Sequence, residues 1–294
     1  WLPGWENAMQ FRPHGTFHYV NTGAAWLALA IPLGWTLTIV RGWKGWPLIV
    51  LLLLLQVMLL AAYSRGAWLT LLFNLALLAA LAAWVYGRRR TLLSLLAVSA
   101  ALAISPVLYG LSQPATTPHA SADFRIFNEL GLWQRFQSSK DTADSTVDSR
   151  FTFWKVAVRL IRERPVLGSG PETFHLLYPR YRPFREGAKS DFSSTVENAH
   201  NLLLHDAATK GGAAVLCWLG LCAIAFFNGL RTILFRRIEE RDTLFLYGSL
   251  FIVWLGSLFG QQLNPHSLSG NFLEWVLLAI VVNPTPLQRP AVGS

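Results

Sequence analysis

Cysteine is nearly absent. Cys217 and Cys222 are the two in 294 residues, both within one apolar run and on no metal-ligand spacing, so the chain is built neither on a disulfide framework nor on a cysteine-held zinc. Charge is scarce as well. Charged residues make up 14% of the chain and apolar ones 53%, a balance that one soluble core does not need and that repeated membrane spans do. The carboxylates are few, no two stand at an acid/base spacing, and no Asp-x-Asp signature occurs outside the apolar runs, which argues against a carboxylate-held divalent metal. The net charge of +9 raises the question of nucleic acid, but much of it sits in short basic clusters between apolar runs. Anionic lipid is the partner that such clusters fit, and no nucleic acid is expected.

What the chain has in quantity is long apolar runs. A helix needs about 20 mostly apolar residues to cross the hydrocarbon, where nothing but the helix itself satisfies the backbone. Residues 22–40, 46–63, 67–86, 91–111, 213–234 and 243–262 meet that length, and a shorter seventh run at 268–282 contains Glu274. The expected fold is therefore all-α: a polytopic transmembrane bundle of six or seven spans in three parts. Residues 1–111 hold four spans, 112–212 form a large loop, and 213–294 hold the remaining spans and a tail. Residue 1 is Trp and the first span would begin outside, so further spans are expected upstream.

Lys and Arg mark the cytoplasmic ends of spans. Arg41 and Lys44, Arg88 to Arg90, and Arg231, Arg236, Arg237 and Arg241 fall in alternate connections. The other connections, Ser64-Arg65-Gly66, the loop from Ser112 to about Gly212 and the turn at 264–269, are then expected on the outer side.

A loop of about 100 residues exceeds what a connection requires and is expected to carry function. Residues 113–122 and 138–149 read as polar linker. After them, Asp148 or Ser149 can cap an amphipathic helix with Phe153, Trp154, Ala157, Leu160 and Ile161 on its apolar side and Lys155, Arg159 and Arg162 away from it, ended by Pro165. Such a helix suits either the membrane interface or packing against the bundle. Arg150 would lie in its first turn, where a cation opposes the helix dipole, a hint of an anionic ligand. Pro165-Val-Leu-Gly-Ser-Gly-Pro171 reads first as a structural turn and second as an amide nest for an anion. Tyr178-Pro-Arg180-Tyr-Arg182-Pro183 alternates aromatics and guanidinium groups, which suits sugar stacking with phosphate pairing and equally a membrane-interface belt. Glu197-Asn-Ala-His200-Asn201 leads back to the membrane.

In order along the chain, these pieces resemble the O-antigen ligase and O-antigen polymerase superfamily of bacterial envelope glycosyltransferases. Arg12-Pro-His-Gly-Thr-Phe17 with Asn21 looks like the family's approach to a span, and Ser64-Arg65-Gly66 like its outer turn. Arg150 with Trp154, the turn at 165–171 and Phe174 is similar to its loop signature, and Ala199-His200-Asn201 with Leu204 and Gly211-Gly212 to its His-Asn motif. Lys210 stands where a Glu is frequent in the family. The chain resembles the C-terminal portion of family members, which have more spans.

The resemblance implies transfer of a glycan from a polyprenyl-diphosphate carrier to an acceptor hydroxyl, without metal ion or cofactor, at the periplasmic face of the inner membrane. The acceptor would be lipid A core in a ligase, a carrier-linked repeat unit in a polymerase, or a protein in a related branch. Arg65 and Arg150 would hold the diphosphate through planar bidentate forks. His200 would be the base, with His205 and His266 as weaker alternatives. Arg180, Arg182, Tyr178 and Asn201 are further expected contacts to diphosphate or glycan. A transporter, the rival of a different class, would need ionisable residues at mid-bilayer, and Glu274 is the main one present.

Overall fold

The computed structural model describes residues 20–62, 64–87, 104, 143–182, 196–235, 238–263 and 268–283, and among these the secondary structure is helix and turn without strand. The helices are α1 (Val20–Arg41), α2 (Trp46–Ala61), α3 (Arg65–Tyr86), α4 (Ala143–Glu163), α5 (Phe174–Tyr181), α6 (Leu202–Thr209), α7 (Gly212–Leu234), α8 (Arg241–Gln261) and α9 (Leu268–Val282), with a 3-10 turn, Gly42–Gly45, joining α1 to α2. Four stretches, Asn21–Arg41, Arg65–Tyr86, Gly212–Leu234 and Arg241–Gln261, are long and apolar enough to cross a membrane, and Pro47–Ala61 and Phe272–Val282 are shorter apolar helices. The protein is thus a multi-pass helical membrane bundle. The run expected at 46–63 forms a 16-residue helix, about 24 Å long. The span expected at 91–111, residue 104 apart, the motif at 12–17, the linker at 113–122 and His266 lie outside the described residues.

The bundle is held by small residues that let helices touch, the usual means of association where lipid removes the hydrophobic drive between helices. Helices α3 and α8 run antiparallel. A Cβ on Gly260 would meet Thr70, one on Gly256 would lie 2.0 Å from Asn74 Oδ1, and one on Gly248 would press on Leu81. At the far end Tyr86 Oη donates to Asp242 Oδ1 at 2.6 Å. Asn74 is fully buried and its amide donates to the Ala28 carbonyl of α1 at 3.3 Å, so α3 packs on α1 as well as on α8, and α1 and α8 also touch each other. Tyr247 Oη donates to Val281 O at 2.8 Å, pinning α9 to α8. This packing puts Arg65, Gly212, Gln261 and the start of α9 at one end of the bundle.

A second, smaller layer is built from α4, α5 and α6 around Val156, Ala157, Leu160, Phe174, Tyr178, Ala199 and Ala208. On α4 the buried residues Thr152, Val156, Ala157 and Leu160 recur every three to four positions, while Lys155, Val158, Arg159 and Arg162 are exposed, the pattern of a helix packed on one side.

The start of α4 differs from the expected one. The helix already includes Ala143, so Asp148 and Ser149 lie within it, and the stretch 143–149 is helix where linker is expected. Ser, Thr and Asp only weakly disfavour helix, and an Asp at position 144 suits the first turn through the dipole. Arg150 is consequently an interior residue of α4, past its first turn. The aromatic-guanidinium stretch is likewise helical, with Pro179 inside α5.

Candidate functional site

Arg65 is the first residue of α3 rather than the middle of a turn. Trp68 fixes this corner: its indole Nε1 donates to Leu59 O of α2 at 3.2 Å and its backbone N–H to Ser64 O at 3.0 Å. Gly66 and Ala67 are buried, while the Arg65 side chain is exposed. A cation at a helix N-terminus opposes the dipole, so Arg65 gains nothing from its own helix.

Arg150 approaches from α4. It is half-buried, and burial together with repulsion from the Arg65 cation lowers its pKa. Among the described residues the ion pair is Lys210 with Asp206, and no carboxylate pairs with Arg65 or Arg150. Two guanidinium groups held close enough to repel, one of them partly stripped of water, form a place where an anion relieves both penalties.

His200 completes the group. Its ring stacks on Phe153 of α4, with centroids 5.5 Å apart and planes 24° apart. The backbone at His200 is left-handed, φ 51°, a conformation uncommon for a residue with a side chain. It is stabilised locally: the His200 N–H donates to Asn198 Oδ1 at 2.9 Å, an Asx-type turn. Trp154 Nε1 donates to Ala199 O at 3.1 Å, tying the same segment to α4. Burial first, and the Arg150 cation second, depress the His200 pKa to about 4. At neutral pH the imidazole is therefore neutral, and its Nδ1 is buried with no hydrogen-bond partner among the described residues.

The remaining expected residues are placed differently. Tyr178 is buried, edge-on to Phe153 at 5.6 Å, so its ring belongs to the core beneath His200. Arg180 is exposed beside the Tyr181 ring, 5.7 Å from its centroid, and Arg182 is half-buried at the end of α5. Asn201 Oδ1 accepts from Leu204 N–H at 3.0 Å and caps α6. His205 is buried against Phe174, at 5.6 Å, and burial lowers its pKa. The structure thus gathers Arg65, Arg150 and His200, while Tyr178 and Asn201 serve the scaffold. Phe153 and Asn198, which orient His200, were legible as one aromatic among several and as an Asn two residues before a loop His.

The turn at 165–171 resolves as structural. Its amides do not form a nest: Gly168 N–H donates to Arg164 O at 3.1 Å, Ser169 N–H to Ala208 O at 2.9 Å and Gly170 N–H to Thr209 O at 2.8 Å. In return Gly212 N–H donates to Pro165 O at 2.8 Å. The approach demands glycine at Gly168 and Gly211. Both have positive φ, and a Cβ on Gly211 would lie 2.1 Å from Val166 O.

A family model described as O-antigen ligase matches residues 49–219, a stretch running from α2 into α7 that contains Arg65, Arg150 and His200. No curated protein and no solved structure matches the chain.

Proposed function

Since the chain belongs to the O-antigen ligase family, we infer that it moves an O-antigen-type glycan from a polyprenyl-diphosphate carrier to a hydroxyl of lipid A core at the periplasmic face of the bacterial inner membrane. The observation that carries this reading is the meeting, at a single end of the bundle, of one neutral imidazole and two guanidinium groups that no carboxylate among the described residues pairs.

The acceptor oxygen attacks the anomeric carbon of the carrier-linked glycan. The bond from that carbon to the phosphate oxygen breaks, and its electron pair leaves on the diphosphate. Arg65 and Arg150 stabilise the charge that develops there. The proton from the acceptor hydroxyl goes to His200. An imidazole with a pKa near 4 is a weak base, but the diphosphate neutralises the same Arg150 cation that depresses it. Donor binding therefore removes the smaller of the two causes of the depression and raises the basicity of His200, while the larger cause, burial, remains. The positive charge that phosphoryl leaving groups demand is supplied by arginine, so transfer should persist in EDTA.

Glycan profiling of a strain lacking the gene tests the acceptor. Bare core with long polymer still on the carrier supports ligation. Single repeat units on the core would identify a polymerase, and loss of glycan from proteins alone would identify a protein glycosyltransferase. The orientation is tested by thiol labelling in intact, outer-permeabilised cells: a membrane-impermeant reagent should label Glu172→Cys and spare Lys44→Cys, and the reverse pattern would invert the topology.

A further inference from the structure

Helix α7 has 23 residues, about 34 Å at 1.5 Å per residue, a little more than the roughly 30 Å of the hydrocarbon. Its first residue, Gly212, therefore stands at the hydrocarbon boundary. The turn after α4 is bonded to that point: Gly212 N–H donates to Pro165 O at 2.8 Å and Ala213 N–H to Val166 O at 3.3 Å. The turn is held at the same depth as the start of the span.

At that depth it exposes apolar side chains. Val166 is 61% and Leu167 81% exposed, and Leu216, one turn into α7, is 71% exposed, so the apolar surface of the turn continues that of the span. Exposed Arg162 and Arg164 flank it, while the neighbouring Glu163 carboxylate is engaged by Tyr181 Oη at 2.5 Å. Apolar tips rimmed by guanidinium groups match the boundary between acyl chains and lipid phosphates.

We propose that residues 165–167 form a membrane wedge, with Val166 and Leu167 inserted among the acyl chains of the leaflet at the Arg65 end and Arg162 and Arg164 on its phosphates. Because α4 leads directly into this turn, the wedge fixes the height of Arg150 and His200 above the bilayer. The occupant is the phospholipid bilayer itself. The docking does not depend on the transfer reaction, so its failure would leave the glycosyltransfer reading standing.

Nitroxide labels at Val166→Cys, Leu167→Cys and Glu172→Cys, in the protein with Cys217→Ser and Cys222→Ala, reconstituted in phosphatidylethanolamine–phosphatidylglycerol vesicles, test it. The collision rates measured by electron paramagnetic resonance should favour oxygen over a water-soluble nickel chelate at Val166 and Leu167, and nickel over oxygen at Glu172. Nickel dominance at all three positions would place the turn in water and overturn the proposal. Low access to both reagents at Val166 and Leu167 would mean that protein covers the turn, and would overturn it equally. Glycan transfer by the Leu167→Cys protein before labelling shows that the loop layer is folded.

Discussion

The spanning bundle and the layer above it are joined by different means. Within the bundle, glycines of α8 are pressed against side chains of α3, and side-chain hydrogen bonds tie the helices, among them Asn74 to Ala28, Tyr86 to Asp242 and Tyr247 to Val281. In the α4–α6 layer the core holds seven buried apolar side chains among the described residues, and the seam to α7 is backbone to backbone, with left-handed glycines at the crossing. Side-chain packing tolerates small adjustments, whereas backbone contact does not. The site takes Arg65 from the first region and Arg150 and His200 from the second, so a rigid helix end faces a layer whose position is set by its amides.

Substitutions can break that division of labour. The largest effect is expected at His200. His200→Ala should lower the transfer rate by about 10²–10⁴-fold while carrier-lipid binding persists. Wild-type transfer by a well-expressed variant would remove His200 as the base.

Next in size, Arg65→Ala and Arg150→Ala should each cost about 10²–10³-fold, with Lys at either position intermediate because the charge survives and the planar fork does not. An Arg65 effect without an Arg150 effect would mean that the upper layer does not share the diphosphate.

Gly211→Ala and Gly256→Ala sharpen the contrast between the seams. The first places a Cβ on backbone at φ +89°. It should expose the α4–α6 layer to limited proteolysis while the spans stay inserted. The second forces Asn74 off Ala28, at about 1–3 kcal/mol, and should lower the melting temperature of the bundle without opening the layer.

The last expected effect is on stability against pH. The His200 pKa falls from 6.5 to about 4 on folding, so the unfolded chain takes up the proton first. The neutral imidazole supports the fold above about pH 6.5, and that support is lost as pH drops from there toward 4. Melting temperatures of His200→Gln and the parent should therefore converge below pH 6.5. Bound diphosphate should raise the lower edge of that window and so narrow it, because the unfolded value of 6.5 is unchanged.

The spans expected at 22–40, 67–86, 213–234 and 243–262 were legible because the bilayer imposes a length and a composition that a window of sequence displays. Helix α4 was legible through its apolar stripe, but its start was not, since Asp148 and Ser149 are acceptable both as caps and as early helix residues. Arg65 stood out in sequence because it runs against the positive-inside pattern, yet its helical setting depends on Trp68 reaching back to Leu59. The left-handed backbone of His200, its stacking on Phe153 and the hold of Trp154 on Ala199 join residues some 45 positions apart. No local pattern announces such a pairing. Tyr178 shows the opposite difficulty, because an aromatic beside arginines looks the same in sequence whether it faces a sugar or a core.

The hydrogen bonds of the turn at 165–171 also constrain traffic. To swing the upper layer away as a lid, Gly212–Pro165 and Ala213–Val166 would have to break together, at a glycine crossing with no slack. The layer behaves as a lintel rather than a door. On the proposed reaction, a lipid-linked donor whose tail lies in the bilayer would need no such door, because it would come to Arg65 and Arg150 from the side.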